Sequence, residues 1–276
     1  MARCALITGA GSGIGAALSR RLATDGWQLG LVGRRPEPLR ALAQELGGMS
    51  LPADTGHPEQ IEGAVAALVE RHGHLDAIVC SAGIGASGTV GEQTLERWNR
   101  VFATNLTGAF LACRASLPHL LQSEGLVVTI SSLAGLRAPP ASAAYAASKA
   151  GLIQLTRSIA FDYGPLGVRA NCVCPGWIRT DMADGEMDEL AAQAGIDREG
   201  AYRLAVAGVP TRRPGRPEEV AGTVAWLLSP DAGYMNGAVL VIDGGAAIVD
   251  VASLPFAPGL GTFSAGAMPF GARDDK

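Results

Sequence analysis

Charge is scarce in this chain. Asp, Glu, Lys and Arg make up 17% of its 276 residues, and basic residues do not outnumber acidic ones, 22 against 26. No basic footprint therefore marks a nucleic-acid partner. Long apolar runs are also missing. Hydrophobic residues are 48% of the chain, yet no stretch reaches the roughly 18 consecutive apolar residues of a membrane span. The chain enters a strand at once, with no basic-then-apolar leader, so a cytoplasmic protein is expected. Metal ligands are few. Cys172-Val173-Cys174 would be half a site, but no second Cys/His pair stands at ligand-like spacing, and His72 and His74 read as a solvated helix end. Five cysteines are an odd number, and Cys4, Cys80, Cys172 and Cys174 lie in apolar, strand-like runs. With Cys113 they are expected to be free buried thiols in a reducing compartment. Linkers of mixed Pro, Ser and charge are absent, as are internal repeats.

What remains is glycine, 37 positions, set between short apolar runs and helix-like stretches. Strands are expected at Cys4–Thr8, Trp27–Gly33, Met49–Ala53, Leu75–Ser81, Leu126–Ser131, Val168–Val173 and Ala238–Ile242. Helices are expected over Gly15–Asp25, Pro38–Leu46, Pro58–Arg71, Ala143–Tyr163 and Pro217–Leu228. A long tract over Thr94–Gln122 is expected to break near Asn105, and residues 182–206 look helical but irregular. Strands that alternate with helices pair in parallel and are covered on both faces. The expected fold is one doubly wound, Rossmann-type α/β domain with a mostly parallel seven-stranded sheet. It should span residues 1–245, with a lid over about 177–209 and an extension over 246–276.

Thr8-Gly9-Ala10-Gly11-Ser12-Gly13-Ile14-Gly15 joins the first strand to the first helix. A helix start offers unpaired N–H groups and the positive end of the dipole to a phosphate. Glycines at 9, 13 and 15 clear side chains from the pyrophosphate approach and from the helix–sheet contact. A glycine-rich loop alone is weak evidence, but one that opens a βαβ unit predicts dinucleotide binding. The second strand ends at Gly33 and is followed by Arg34-Arg35, where a carboxylate would mark an NAD site. A guanidinium there suits a 2′-phosphate, so NADP(H) is favoured over NAD(H); solvated arginines are the alternative. Asp54, just after the third strand, is placed either to meet the adenine amino group or to cap its own loop.

Tyr145 and Lys149 are four residues apart in a helical tract, so they share a face. A free phenol titrates at about 10. An ammonium about 4 Å away contributes up to roughly 4 kcal/mol at an effective dielectric of 20, which would lower that pKa by as much as about 3 before desolvation takes some back. Such a pair is expected to work as a general acid and base. Ser132 lies at the end of the fifth strand, thirteen residues before Tyr145, where ligands of open parallel sheets bind. Its hydroxyl could polarise a substrate oxygen. Ser131 competes, since strand alternation sends the two to opposite faces. Ser81-Ala82-Gly83 ends the fourth strand, where a nicotinamide ribose would pass, and Asn105 is expected to hold a water or a backbone group.

These motifs, in this order, resemble the short-chain dehydrogenase/reductase family over about residues 3–247. The glycine motif matches Thr8-Gly9-x-x-x-Gly13-Ile14-Gly15, and the family's catalytic tetrad falls on Asn105, Ser132, Tyr145 and Lys149. Its Asn-Ala-Gly motif departs here to Ser81-Ala82-Gly83. Pro175-Gly176-Trp177-Ile178-Arg179-Thr180 resembles the segment in which the backbone of Ile178 and the side chain of Thr180 hold the nicotinamide carboxamide. The resemblance implies hydride transfer between NAD(P)(H) and a carbonyl or secondary alcohol, with Lys149 on the ribose and linked through water to Asn105. An NAD-dependent alcohol dehydrogenase, an epimerase or dehydratase, and a non-catalytic dinucleotide-binding scaffold are the rivals. The last strand, with Asn236-Gly237 and Asp243-Gly244-Gly245, implies a homotetramer or homodimer.

Substrate contacts are expected from Trp177, Met182, Met187, Leu190 and Tyr202 in the lid and from Leu133–Pro140 opposite, with Arg137 or Arg179 as single anion grips. An apolar or mixed ketone, a 3-oxoacyl thioester and a small cyclic alcohol all fit. Phe256, Phe263 and Phe270 recur every seven residues in the extension, but Pro255, Pro258 and Pro269 exclude a continuous helix. The extension reads as a surface wrap or as an arm reaching a neighbouring subunit.

Overall fold

The computed structural model describes residues 2–250 together with Ala252 and Leu254. The phenylalanine spacing of the extension lies outside the described residues. Seven strands form one sheet: β1 (Cys4–Thr8), β2 (Gln28–Gly33), β3 (Met49–Pro52), β4 (Ala77–Cys80), β5 (Leu126–Ile130), β6 (Arg169–Pro175) and β7 (Val239–Ile242). Their order is β3-β2-β1-β4-β5-β6-β7, and every neighbouring pair is parallel. The order reverses between β1 and β4, so the loops leaving these two strands diverge and open a crevice at their carboxyl ends.

Alternation along the strands sorts the core into two layers. Ala5, Ile7, Ala77, Val79, Val128, Ile130 and Val173 point to one face, where α1 (Gly13–Thr24), α2 (Pro36–Leu46) and α9 (Pro217–Leu227) cover them. Cys4, Leu6, Ile78, Cys80, Val127 and Ala170 point to the other, under α3 (Pro58–His72), α5 (Gly108–Ser123) and α6 (Ala143–Tyr163). Each fully buried Leu or Ile contributes roughly 1.5–3 kcal/mol relative to exposure, so the strands nearest the crevice are also the most firmly held. All five cysteines are buried and free. Among the described residues no helix is long and apolar enough to cross a membrane.

Two segments expected to be irregular take forms that shape the site. The tract expected as one broken helix is α4 (Leu95–Phe102), a five-residue π-turn (Ala103–Thr107) and α5. The π-turn adds a residue to the helical turn and swings Asn105 inward, where it is fully buried. The irregular lid is two helices, α7 (Asp181–Ala194) and α8 (Arg198–Ala205). Gly195 closes α7 in the left-handed conformation, and the Asp197 carboxylate opens α8 by accepting the Gly200 N–H at 2.7 Å. β6 also runs two residues further than expected, because Cys174 and Pro175 pair with Val241 and Ile242 of β7.

Candidate active site

The turn from β1 into α1 is built to receive an anion. Ser12 is the N-cap in extended conformation, but its side chain makes no capping bond, and the first turn of α1 holds no acid. The N-terminal N–H groups and the dipole are therefore left to a ligand. Two glycines make the turn tight. A methyl on Gly9, at φ +70°, would stand 2.8 Å from the Ala82 backbone, and one on Gly15 would overlap the Gly9 carbonyl oxygen. The Thr8 hydroxyl accepts the N–H groups of Ser81 and Ala82 at 3.1 and 3.2 Å. This ties the ends of β1 and β4 across the crevice. Ser81 is thus placed through its main chain, which explains how the loop tolerates serine at this position. On this geometry the residues fit a dinucleotide pyrophosphate. Gly15→Ala should weaken dinucleotide binding at least tenfold and lower the melting temperature, measured by cofactor titration and thermal unfolding. An unchanged affinity would remove the loop from the binding site.

Arg34 and Arg35 follow β2 as exposed side chains and pair with no carboxylate among the described residues. Asp54 does cap its own loop, accepting the Gly56 N–H at 2.9 Å. Thr180 is the N-cap of α7, and its methyl would lie 3.1 Å from a side chain on Gly13, so the loop after β6 abuts the phosphate turn. Gly176 donates to the Ile242 carbonyl at 2.9 Å and holds that loop to β7. Ile178 buries its side chain and leaves only its backbone for a ligand.

Beside this cradle stand the chemical groups. Strand alternation separates the two serines after β5. Ser131 is buried and donates to the Lys149 carbonyl at 2.8 Å, bracing α6. Ser132 faces the crevice, accepts the Ala134 N–H at 3.1 Å and stands beside the Tyr145 phenol, whose pKa it lowers. Lys149 is 4% exposed. Its ammonium donates to the Ile130 carbonyl at 2.9 Å and lies 5.7 Å from the centre of the Tyr145 ring. Burial pulls its pKa down to about 8, with nearby thiols opposing.

Contrary to expectation, the Tyr145 phenol is not lowered into the neutral range by Lys149; its pKa is raised above the ordinary value. Burial is the largest cause, and the neighbouring Ser132 only partly offsets it, while Glu186 and Cys174 push the same way as burial. Desolvation acts on the whole ring, whereas the ammonium is tied to a carbonyl of β5.

Asn105 holds a backbone group, one of the two kinds of partner expected for it. Its carbonyl oxygen accepts the Ile84 N–H at 2.8 Å, and its amide donates to the Ile84 carbonyl at 3.0 Å and to the Ser148 hydroxyl at 3.1 Å. Both amide hydrogens are engaged, and the side chain clamps the loop after Gly83 to α6. Ser148 completes the clamp by donating to the Tyr145 carbonyl at 2.7 Å. Sequence reasoning misses Ser148, although its place one residue before Lys149, three after Tyr145, could have marked it.

Of the expected substrate contacts, Trp177 and Met182 in the lid are partly exposed, and Arg137 opposite is exposed. Met187 and Tyr202 are each 1% exposed and form the lid's own core with Ala183, Ala191 and Ala201, with Leu190 packed against them. They do not face a substrate, because two short helices with little sheet contact must bury their own apolar faces to stay folded. Arg179 is no free anion grip either: it holds Glu199 through two hydrogen bonds of 2.6 Å and stacks over Tyr202.

A doubly wound sheet, an uncapped glycine turn and a Ser–Tyr–Lys cluster at one crevice define a dinucleotide-dependent oxidoreductase. Residues 9–247 match the family model described as Enoyl-(Acyl carrier protein) reductase. The chain is 40% identical over 261 residues to Protein MoaE of Klebsiella aerogenes, covering 93% of this chain and all of that one. It is 36% identical to the 2-(R)-hydroxypropyl-CoM dehydrogenase of Xanthobacter autotrophicus (strain ATCC BAA-1158 / Py2), covering 88% of this chain and 98% of that one. The structure of a single-residue variant of actinorhodin polyketide ketoreductase with NADPH superposes with a TM-score of 0.85 at 34% identity, covering 88% of this chain and 97% of that one. The chain belongs to the short-chain dehydrogenase/reductase family. It is an NAD(P)(H)-dependent oxidoreductase acting on small-molecule carbonyls or alcohols.

Proposed function

We propose that the protein works as an NADPH-dependent ketone reductase, with Tyr145 as the acid, Ser132 as the oxygen-polarising group and Lys149 and Asn105 in support. The observation that carries this is the grouping at the crevice, with the Tyr145 phenol beside Ser132 and the Lys149 ammonium 5.7 Å from the centre of its ring. A protonated phenol is the form that reduction needs.

The bound nicotinamide supplies the hydride. The phosphate turn (Gly9, Ser12, Gly13, Ile14, Gly15) would hold the pyrophosphate, and Arg34 and Arg35 the 2′-phosphate. Asp54 would meet the adenine, Ser81-Ala82-Gly83 and Lys149 the ribose, and Pro175, Gly176, Ile178 and Thr180 the carboxamide. The Ser132 hydroxyl donates a hydrogen bond to the carbonyl oxygen as negative charge grows on it. Tyr145 then transfers its proton to that oxygen, leaving an alcohol and a tyrosinate. Solvent then reprotonates that tyrosinate. Asn105 positions the loop at Ile84 and the helix at Ser148.

The unpaired Arg34 and Arg35 support the choice of NADPH. Thermal unfolding with each of NAD⁺, NADH, NADP⁺ and NADPH tests it. A ligand at a hundredfold excess over its dissociation constant adds about 2.7 kcal/mol, or roughly 5–10 °C for a chain of this size. The larger rise is expected with the phosphorylated forms, and Arg34→Ala/Arg35→Ala should remove the difference. A larger rise with NADH would favour an NAD-dependent alcohol dehydrogenase. A homotetramer or dimer in the cytoplasm completes the proposal. Edge strand β7 is half covered, with Val241, Trp226 and Tyr234 exposed, which supports self-association, and five free thiols suit a reducing compartment. Light scattering of the purified protein reads the assembly directly.

A further inference from the structure

Several lid acids are neutralised by neighbouring side chains. Asp184 accepts the Tyr202 hydroxyl at 2.7 Å and faces Arg198 at 3.4 Å. Asp188 holds Arg198 through two bonds of 2.6 Å, as Glu199 holds Arg179. Glu186, on the same helix as Asp184 and Asp188, makes no hydrogen bond or ion pair among the described residues. It lies one helical turn beyond Met182, so the two share a face of α7. Both reach the loop after β4. A methyl on Gly85 would come 3.3 Å from Glu186 Oε1 and 3.9 Å from Met182 Cγ.

Two residues earlier in that loop, a methyl on Gly83 would come 3.3 Å from Lys149 Nζ. The carboxylate therefore stands over the strip of backbone that floors the catalytic crevice. Glu186 is exposed along its helix, but its charge is felt at the reacting end: it is among the groups that raise the Tyr145 phenol. Burial, with Glu189 beside it, raises the pKa of Glu186 itself. A carboxylate at the rim of the crevice with no donor of its own among the described residues can accept a hydrogen bond from a ligand that brings one.

We propose that Glu186 determines substrate specificity: its carboxylate accepts a hydrogen bond from a donor group, a hydroxyl or a protonated amine, within a few bonds of the reacting carbonyl. The same charge repels carbonyl compounds that carry a carboxylate at that place. Met182 beside it supplies an apolar wall, so the substrate class is a small ketone, or its alcohol, with one polar donor on an otherwise apolar frame. The inference rests on the hydride-transfer function proposed above. A hydrogen bond to a charged acceptor corresponds to roughly ten- to a hundredfold in selectivity, and a site built around such a bond discriminates against analogues that lack the donor.

The test compares kcat/KM for four ketones of similar size: butan-2-one, 3-hydroxybutan-2-one, 1-aminopropan-2-one and 3-oxobutanoate. Each is measured with the wild type, Glu186→Gln and Glu186→Ala at saturating cofactor. The wild type should prefer the hydroxyl and amino ketones to butan-2-one by about tenfold or more, with 3-oxobutanoate below it. Glu186→Ala should bring all four within about threefold of one another. Glu186→Gln keeps an acceptor without the charge, so it should retain much of the hydroxyl preference, lose the amino preference and raise 3-oxobutanoate. Cofactor dissociation constants, read by fluorescence, separate this from damage to the fold. Unchanged substrate ratios in Glu186→Ala, an equal fall for all four ketones, or a wild type that prefers 3-oxobutanoate would each overturn the proposal. If the wild type turns over none of the four but reduces another ketone in a Tyr145-dependent way, the substrate class fails and the reductase function stands. If no ketone is reduced, the function itself fails.

Discussion

Tyr145→Phe is expected to lower turnover by about a hundred- to ten-thousandfold, the range that general acid catalysis supplies, while cofactor affinity changes by less than about threefold. The substitution removes one oxygen. The ring stays packed in the first turns of α6, and Lys149 keeps its bond to the Ile130 carbonyl, since that bond does not involve the phenol. Ser132 retains the Ala134 N–H and so remains oriented. What disappears is the proton donor beside the polarising hydroxyl. Single-turnover reduction under saturating cofactor, paired with a fluorescence titration, separates the two quantities. Near-normal turnover in the variant would show that another group donates the proton.

Lys149→Met should abolish most activity and yet leave the protein more stable at neutral pH. An unfolded lysine titrates at about 10.5, whereas in the fold burial holds this one near 8. Below pH 8 both states are protonated, and the folded state bears the full cost of a buried ammonium, about 3 kcal/mol. Between pH 8 and 10.5 the unfolded chain binds more protons than the folded one, so stability contributed by this group rises with pH. Methionine fills a similar volume and removes the cost, but it leaves the Ile130 carbonyl without its donor, a loss of about 1–3 kcal/mol. The net gain is about 1 kcal/mol, or roughly 2–4 °C in melting temperature at pH 7. The difference should shrink or reverse by pH 10. Denaturation curves at both pH values decide it. A variant that is less stable at pH 7, with a gap that does not change with pH, would mean the buried cation is not under strain. The expected result would identify a group kept for chemistry at the expense of stability.

The division of labour between sequence and fold can be followed residue by residue. Local rules carried the strands that flank the crevice, the turn from Thr8 to Gly15 and α6 with Tyr145 and Lys149 one turn apart. Period, capping and glycine placement act over a few neighbours, so they are legible in a string of letters. Gly195 and Asp197 stop and start the lid helices by rules just as local, though the sequence was read there only as irregular helix. By contrast, nothing local says that Asn105 spends its amide on Ile84 and Ser148, twenty-one and forty-three residues away. Nor does helical spacing reveal that Met187 and Tyr202 meet inside the lid while Glu186 hangs free over Gly85.

The chemistry of the pair shows the same boundary. By itself the sequence determined that a phenol and an ammonium share a helix face beside a dinucleotide turn, because spacing along a helix is a local property. Only the tertiary structure decided what those groups are like. The Lys149 ammonium is tied to a carbonyl of β5, and the pKa of the Tyr145 phenol is shifted upward rather than toward neutrality. Burial sets both outcomes, and burial belongs to the packed sheet and helices rather than to any stretch of chain.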